Sequence, residues 1–160
     1  NLIKTWLPKA IHEPENLRAR GGMLVGSCLA GVAFLKGLGM VHAISHMVGA
    51  EFDTQHGLTN AIILPVVMEF NLPGMEKKVE RMANTMGLED TSIDCFTSEV
   101  NNILDIIDIP KSLSQINVPL NCSQRIARKA LMDSAAATNP KQASARQVQE
   151  LIETAIVQAR

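Results

Sequence analysis

Apolar residues recur along this chain at three- and four-residue spacing, and nowhere alternate long enough to read as a strand. Near the C-terminal end Ile126, Ala130 and Leu131 share one face, followed by Val148, Leu151, Ile152 and Ala155 on another. Glycine, proline and asparagine divide the pattern into segments. Residues 1–8 read as the tail of a helix. Pro14-Glu15 opens the next, with proline in the first turn and an acidic neighbour. That helix carries Gly21, Gly22, Gly26 and Gly31. Each interior glycine costs about 1 kcal/mol, so close backbone packing is needed to offset them, and the segment is predicted to be a buried central helix. Gly37 and Gly39 end it.

A short helix is predicted over 41–48, stopped by Gly49, with a loop over 51–55. His56-Gly57 opens an apolar helix over 58–70, with Pro65 as a kink. After a turn at 71–74 come a helix from Glu76 to the Gly87 stop and another over 91–108. Thr91 or Ser92 caps the latter and Pro110 stops it. A helical turn at 112–116 precedes a helix from Cys122 or Ser123 to 137, and Ser144 caps the last one, to 159. The prediction is an all-α bundle of about seven helices.

Composition agrees with this pattern. Tyrosine is absent and aromatics are 3% of residues, which disfavours a sheet. The 160 residues suit one domain able to bury its own core. A net charge of -1 provides no basic field for nucleic acid or anionic lipid. Cys28, Cys95 and Cys122 are odd in number and form no CxxC pair, which fits a reducing compartment and a cytoplasmic protein. No signal-peptide pattern opens the chain. The oiliest run, 23–35, is too short to span a bilayer. The methionines read as core filler, and Cys28 has no basic neighbour to activate it.

Chemistry concentrates in the histidines. His42 and His46 are four residues apart and would share one helical face, while His56 must return from a second element. Two such imidazoles can chelate a metal, or one can bind while the other faces a substrate. All three together would suit zinc but leave no proton-handling group. Ala43 stands where an HExxH protease needs its glutamate. His12, in a Pro/Glu-flanked segment, reads as a surface residue.

The segments Ala30-Gly-Val-Ala-Phe34, Leu38-Gly39, Val41-His-Ala-Ile-Ser-His46, Gly49, Thr54-Gln-His-Gly57, Asn60-Ala61, Leu64-Pro65 and Phe70-Asn71 resemble the iron-containing (group III) alcohol dehydrogenase family. Its HxxxH signature, followed ten residues later by HG, is matched in full, and Thr138-Asn139-Pro140-Lys141 resembles its closing TNPR motif. The resemblance implies the C-terminal helical domain, of dehydroquinate synthase-like type, over 1–160. It implies that the dinucleotide-binding domain, with its Gly-rich loop and the DxxxH pair of metal ligands, lies outside this sequence. It further implies His42 and His56 as ligands of Fe2+ or Zn2+, His46 near the nicotinamide and substrate, and, more loosely, Phe34 beside the substrate channel. NAD or NADP would be the redox partner and a small alcohol or aldehyde the substrate. With two protein ligands instead of four, the isolated chain is expected to hold metal weakly and to be inactive. The contrasting expectation is a stand-alone helical binding or assembly module that keeps these residues without catalysis and self-associates through the face that would meet the cofactor domain.

Overall fold

Eight α-helices and four short 3-10 turns account for the regular structure of the computed structural model, which describes Asn1–Arg160 and contains no strand. The all-α expectation holds, with one helix more than predicted. The chain divides into two compact units, Asn1–Lys36 with Leu72–Asp108 and Gly37–Asn71 with Ile109–Arg160.

The first unit contains α1 (Leu2–His12), α2 (Leu17–Ala33), α5 (Glu76–Met86) and α6 (Ile93–Ile106). Pro8 does not end α1, which continues to His12. Lys4 Nζ fastens α1 to its neighbours, pairing with Glu99 at 3.0 Å and donating to the Met86 carbonyl at 3.3 Å. Exposed His12 donates from Nε2 to the Ile106 carbonyl at 3.2 Å. Asn16, not Pro14-Glu15, starts α2, its side chain accepting from Ala19 N at 3.0 Å. Two glycines let α1 approach. A Cβ at Gly22 would overlap the Trp6 indole, and one at Gly26 would stand 3.2 Å from Ile3.

The prediction of a buried central helix is nevertheless wrong for α2. Only Ala19 and Gly26 are buried in it, while Leu24 is 74% and Leu29 59% exposed. Gly21 and Gly31 face open space. Helical structure also runs past the predicted oily run: Leu17–Lys36 is 20 residues, long and apolar enough by length and composition to cross a membrane. In α6, Ser92 is the cap, accepting from Cys95 N at 3.2 Å, and the helix ends short of the left-handed Asp108.

The second unit contains α3 (Met40–Phe52), α4 (His56–Asn71), α7 (Ser123–Met132) and α8 (Ala145–Val157). Ile44, Val48, Ile62, Ile63, Ile126 and Ile152 form the centre of its continuous core. Burying a side chain of this size contributes about 1.5–3 kcal/mol. Gly49 does not end α3. The helix runs on to Phe52 and stops at Asp53, in the left-handed region at φ 52°, whose N–H bonds Gly49 O at 3.0 Å. The position is not crowded: a Cβ on Gly49 would lie 3.6 Å from the Thr54 carbonyl, an ordinary contact. α4 continues through buried Pro65. α7 stops at Met132, five residues before the predicted end, because extended Asp133 caps a separate 3-10 turn, Ser134–Thr138. A full capping box of Ser144 and Gln147 opens α8.

Candidate metal centre

Three side-chain systems place the histidines. The first fixes the start of α3, where Gly39, at φ 81°, offers no side-chain cap. Asn139 substitutes for one from 99 residues away: its Oδ1 accepts from Met40 N at 3.0 Å and from Asn71 Nδ2 at 3.0 Å. Its amide nitrogen donates to Asn71 Oδ1 and to the Lys141 carbonyl. Thr138 Oγ1 accepts from Leu38 N at 3.1 Å and Gly39 N at 3.3 Å. The Thr-Asn-Pro segment thus anchors the turn that leads directly into His42.

The second system fixes the start of α4. Gln55 Oε1 accepts from Leu58 N, and the hydroxyl of buried Thr59 lies 2.8 Å from Thr54 Oγ1 and donates to the Gln55 carbonyl at 2.9 Å. His56, the first residue of α4, is thereby held at the helix end facing α3. The third is Glu51, late in α3, which accepts from Arg125 and Lys129 of α7.

The result is a triangle of imidazoles. Ring centroids are 5.8 Å apart for His42 and His46, 5.3 Å for His42 and His56, and 5.5 Å for His46 and His56. Burial holds the His42 pKa below the ordinary imidazole value, helped by positive charge on His56 and His46 and opposed by Asp133. One amide links two of the rings: Asn60 Nδ2 lies 3.3 Å from His42 Nε2 and 3.0 Å from His56 Nε2. The other amide atom, Asn60 Oδ1, is buried with no hydrogen-bond partner. His46 has a separate anchor, its Nδ1 donating to Asp133 Oδ2 at 3.0 Å. Burial raises the Asp133 pKa, but the Ala135 N–H and the His46 contact outweigh it and hold the carboxyl below its ordinary value.

Chemically, this is a pair of imidazole nitrogens directed at a common point, with a carboxylate-oriented imidazole alongside. Nitrogen donors suit iron or zinc, and a convergent pair fits part of such a shell. No set of three or more His, Cys, Asp or Glu side chains is arranged to hold an ion, so a three-imidazole shell is not assembled. Phe34 lies in the other unit, on the 3-10 turn after α2, and is 55% exposed.

Sequence reasoning assigned no role to two residues of this site. Asn60 had a local signal, since it falls one turn after His56 on the same helical face. Asp133 is 87 residues from His46 and was read as part of a helix. Its only trace is an Asp-Ser-Ala-Ala cap pattern.

Known proteins resemble this chain in sequence and fold. The profile of the Fe-containing alcohol dehydrogenase family, C-terminal part, matches residues 1–156. The methanol:N,N-dimethyl-4-nitrosoaniline oxidoreductase of Mycobacterium sp. is 40% identical over 124 residues, 73% of this chain and 29% of that protein. The NAD-dependent methanol dehydrogenase of Bacillus methanolicus is 30% identical over 162 residues, 97% of this chain and 42% of that protein. A crystal structure of 1,3-propanediol oxidoreductase superposes with a TM-score of 0.93 at 31% identity, covering 97% of this chain and 42% of the other. The chain therefore spans less than half the length of these relatives. It belongs to the iron-containing alcohol dehydrogenase family, a family of enzymes, and corresponds to its C-terminal part.

Proposed function

We propose that the histidine triangle is the metal-binding part of an NAD(P)-dependent alcohol dehydrogenase site acting on a small alcohol or aldehyde. The observation that carries this reading is the convergence of His42 Nε2 and His56 Nε2 on one point, beside an imidazole held by Asp133. His42 and His56 hold Fe2+ or Zn2+. When bound, the ion supplies Lewis acidity to an alcohol or carbonyl oxygen, and the nicotinamide of NAD or NADP takes or gives the hydride.

The chain's own residues do the rest. Asp133 accepts from His46 Nδ1, which fixes the ring and leaves its Nε2 to accept the hydroxyl proton and return it in the reverse direction. Burial disfavours protonation of His42, which favours a free nitrogen lone pair for the ion. The names of the relatives, which include methanol and 1,3-propanediol dehydrogenases, favour a short alcohol. The reading includes a cytoplasmic setting and no nucleic-acid or membrane partner.

Two imidazoles make a weak site, so these 160 residues alone hold metal poorly and are inactive. Joined to the dinucleotide-binding domain of a relative, they should support NAD(P)-dependent oxidation of a short alcohol, and His42→Ala should abolish it. Unchanged turnover in that variant would remove the metal role from His42. The exposed apolar side of α2 is what favours the alternative, a helical binding or assembly module. A metal-indifferent chain that self-associates would support that instead.

A further inference from the structure

We propose that Asn60 is the positioning residue of the metal-binding pair: its amide holds His42 and His56 in the tautomer that a metal ion requires. The inference rests on the assignment of His42 and His56 as ligands and concerns how that pair is kept ready.

An amide nitrogen carries two protons and no acceptor lone pair. Asn60 Nδ2 lies within hydrogen-bond distance of His42 Nε2, at 3.3 Å, and of His56 Nε2, at 3.0 Å. Donating one proton to each requires both Nε2 atoms to be unprotonated. In a neutral imidazole the proton must then sit on Nδ1. That leaves the Nε2 lone pairs of both rings directed at one place, from which an ion displaces the amide.

The opposite amide orientation would put Oδ1 between the rings and require an N–H on each Nε2, the form a metal cannot bind. The observed orientation has a cost, because Oδ1 is buried and has no partner. Leaving a buried carbonyl unsatisfied is unfavourable, and the two bonds to the histidines hold the amide there despite it. Asn60 sits one turn beyond His56 on α4, so the helix itself sets the reach to that ring. A partner that fixes a ligand's tautomer tunes its metal affinity, and Asn60 does so from the coordinating nitrogens themselves.

The test is nitrogen NMR of the histidine rings in the 160-residue chain, in mildly alkaline buffer without metal, together with calorimetric titration with zinc. The parent should show His42 and His56 protonated on Nδ1. Asn60→Leu, close in size and without donors, should shift both rings toward the Nε2–H form. It should also weaken zinc binding about tenfold. Nε2 protonation on either ring of the parent overturns the proposal without any variant. So does Asn60→Leu with unchanged tautomers, or with parental zinc affinity.

His42→Ala separates the two readings. If it abolishes zinc binding while Asn60→Leu leaves the tautomers unchanged, the metal assignment stands and the clamp fails. If the parent shows Nδ1–H on both rings and His42→Ala leaves zinc affinity unchanged, the metal assignment fails, and the tautomers of Asn60→Leu alone decide the clamp.

Discussion

The two units are built from similar helices and bury their apolar residues to very different degrees. The unit holding the histidines encloses Ile44, Val48, Ile62, Ile126 and Ile152, all fully buried, and exposes only Leu120, Met132 and Val157 among its large apolar residues. The other unit buries Ala19, Leu72, Val79, Ala83, Phe96 and Leu104 and leaves eleven large apolar residues exposed, seven of them between Leu17 and Leu35. The difference locates rigidity. Imidazoles that must converge on one point stand on the unit whose core is closed, where side chains have little freedom to drift.

The strongest way to break that comparison is a cavity in the closed core. Ile44 lies between His42 and His46 on α3 and is fully buried. Ile44→Ala should cost about 2–5 kcal/mol, read as a lower urea midpoint with an unchanged slope. A cost below about 1 kcal/mol would mean that this core is not close-packed in solution.

Next in size is Asn139→Ala. It removes the remote cap of α3 and both bonds with Asn71. Stability should fall by about 2–3 kcal/mol, and the ring resonances of His42 should move, because the cap fixes the first turn of the helix that carries it. A destabilised variant with unmoved His42 resonances would show that the Thr-Asn-Pro segment stabilises the unit without placing the ring.

Smaller still is the acid response of Glu51. Its bond to Arg125 outweighs burial, and with Lys129 also helping, its carboxyl is held below the ordinary value of 4.5. A depressed folded pKa contributes stability that is present above 4.5 and lost as pH falls through the lower folded value. Glu51→Gln should therefore lower the melting temperature slightly at neutral pH and not at all at the acid end. An equal loss at both ends would remove the ion pair from the account.

Much of this was legible locally. The Ser144 and Gln147 box, the Ser92 cap and the Gly87 stop are decided by side chains within a few residues of the backbone they serve. The histidine face was legible for the same reason, since helical spacing alone brings His42 and His46 together. What sequence missed depends on distant groups. Gly49 is the exception: it reads as a stop, yet the helix passes through it and closes at left-handed Asp53, whose N–H bonds the Gly49 carbonyl. Asp133 reads as helical beside three alanines. Its carboxylate instead bonds Ala135 N and a histidine 87 residues away, so α7 stops at Met132. The glycines of α2 signalled close packing correctly at Gly22 and Gly26, but one close contact with α1 does not bury the rest of the helix.

The smallest expected effect tests the open side of the comparison. Leu29 on α2 is 59% exposed and Leu24 is 74% exposed. Leucine and glutamine have similar helix propensities, so Leu29→Gln should leave α2 formed. Because much of the leucine surface already faces water, little burial free energy is lost. The change in stability should stay within about 0.5 kcal/mol, roughly a tenth of the upper cost at Ile44. The measurement is a pair of urea curves at two protein concentrations. A loss comparable with that of Ile44→Ala, independent of concentration, would mean that α2 is buried within the chain in solution. A loss that grows with protein concentration would mean that a second copy covers the face, since only association makes apparent stability depend on protomer concentration.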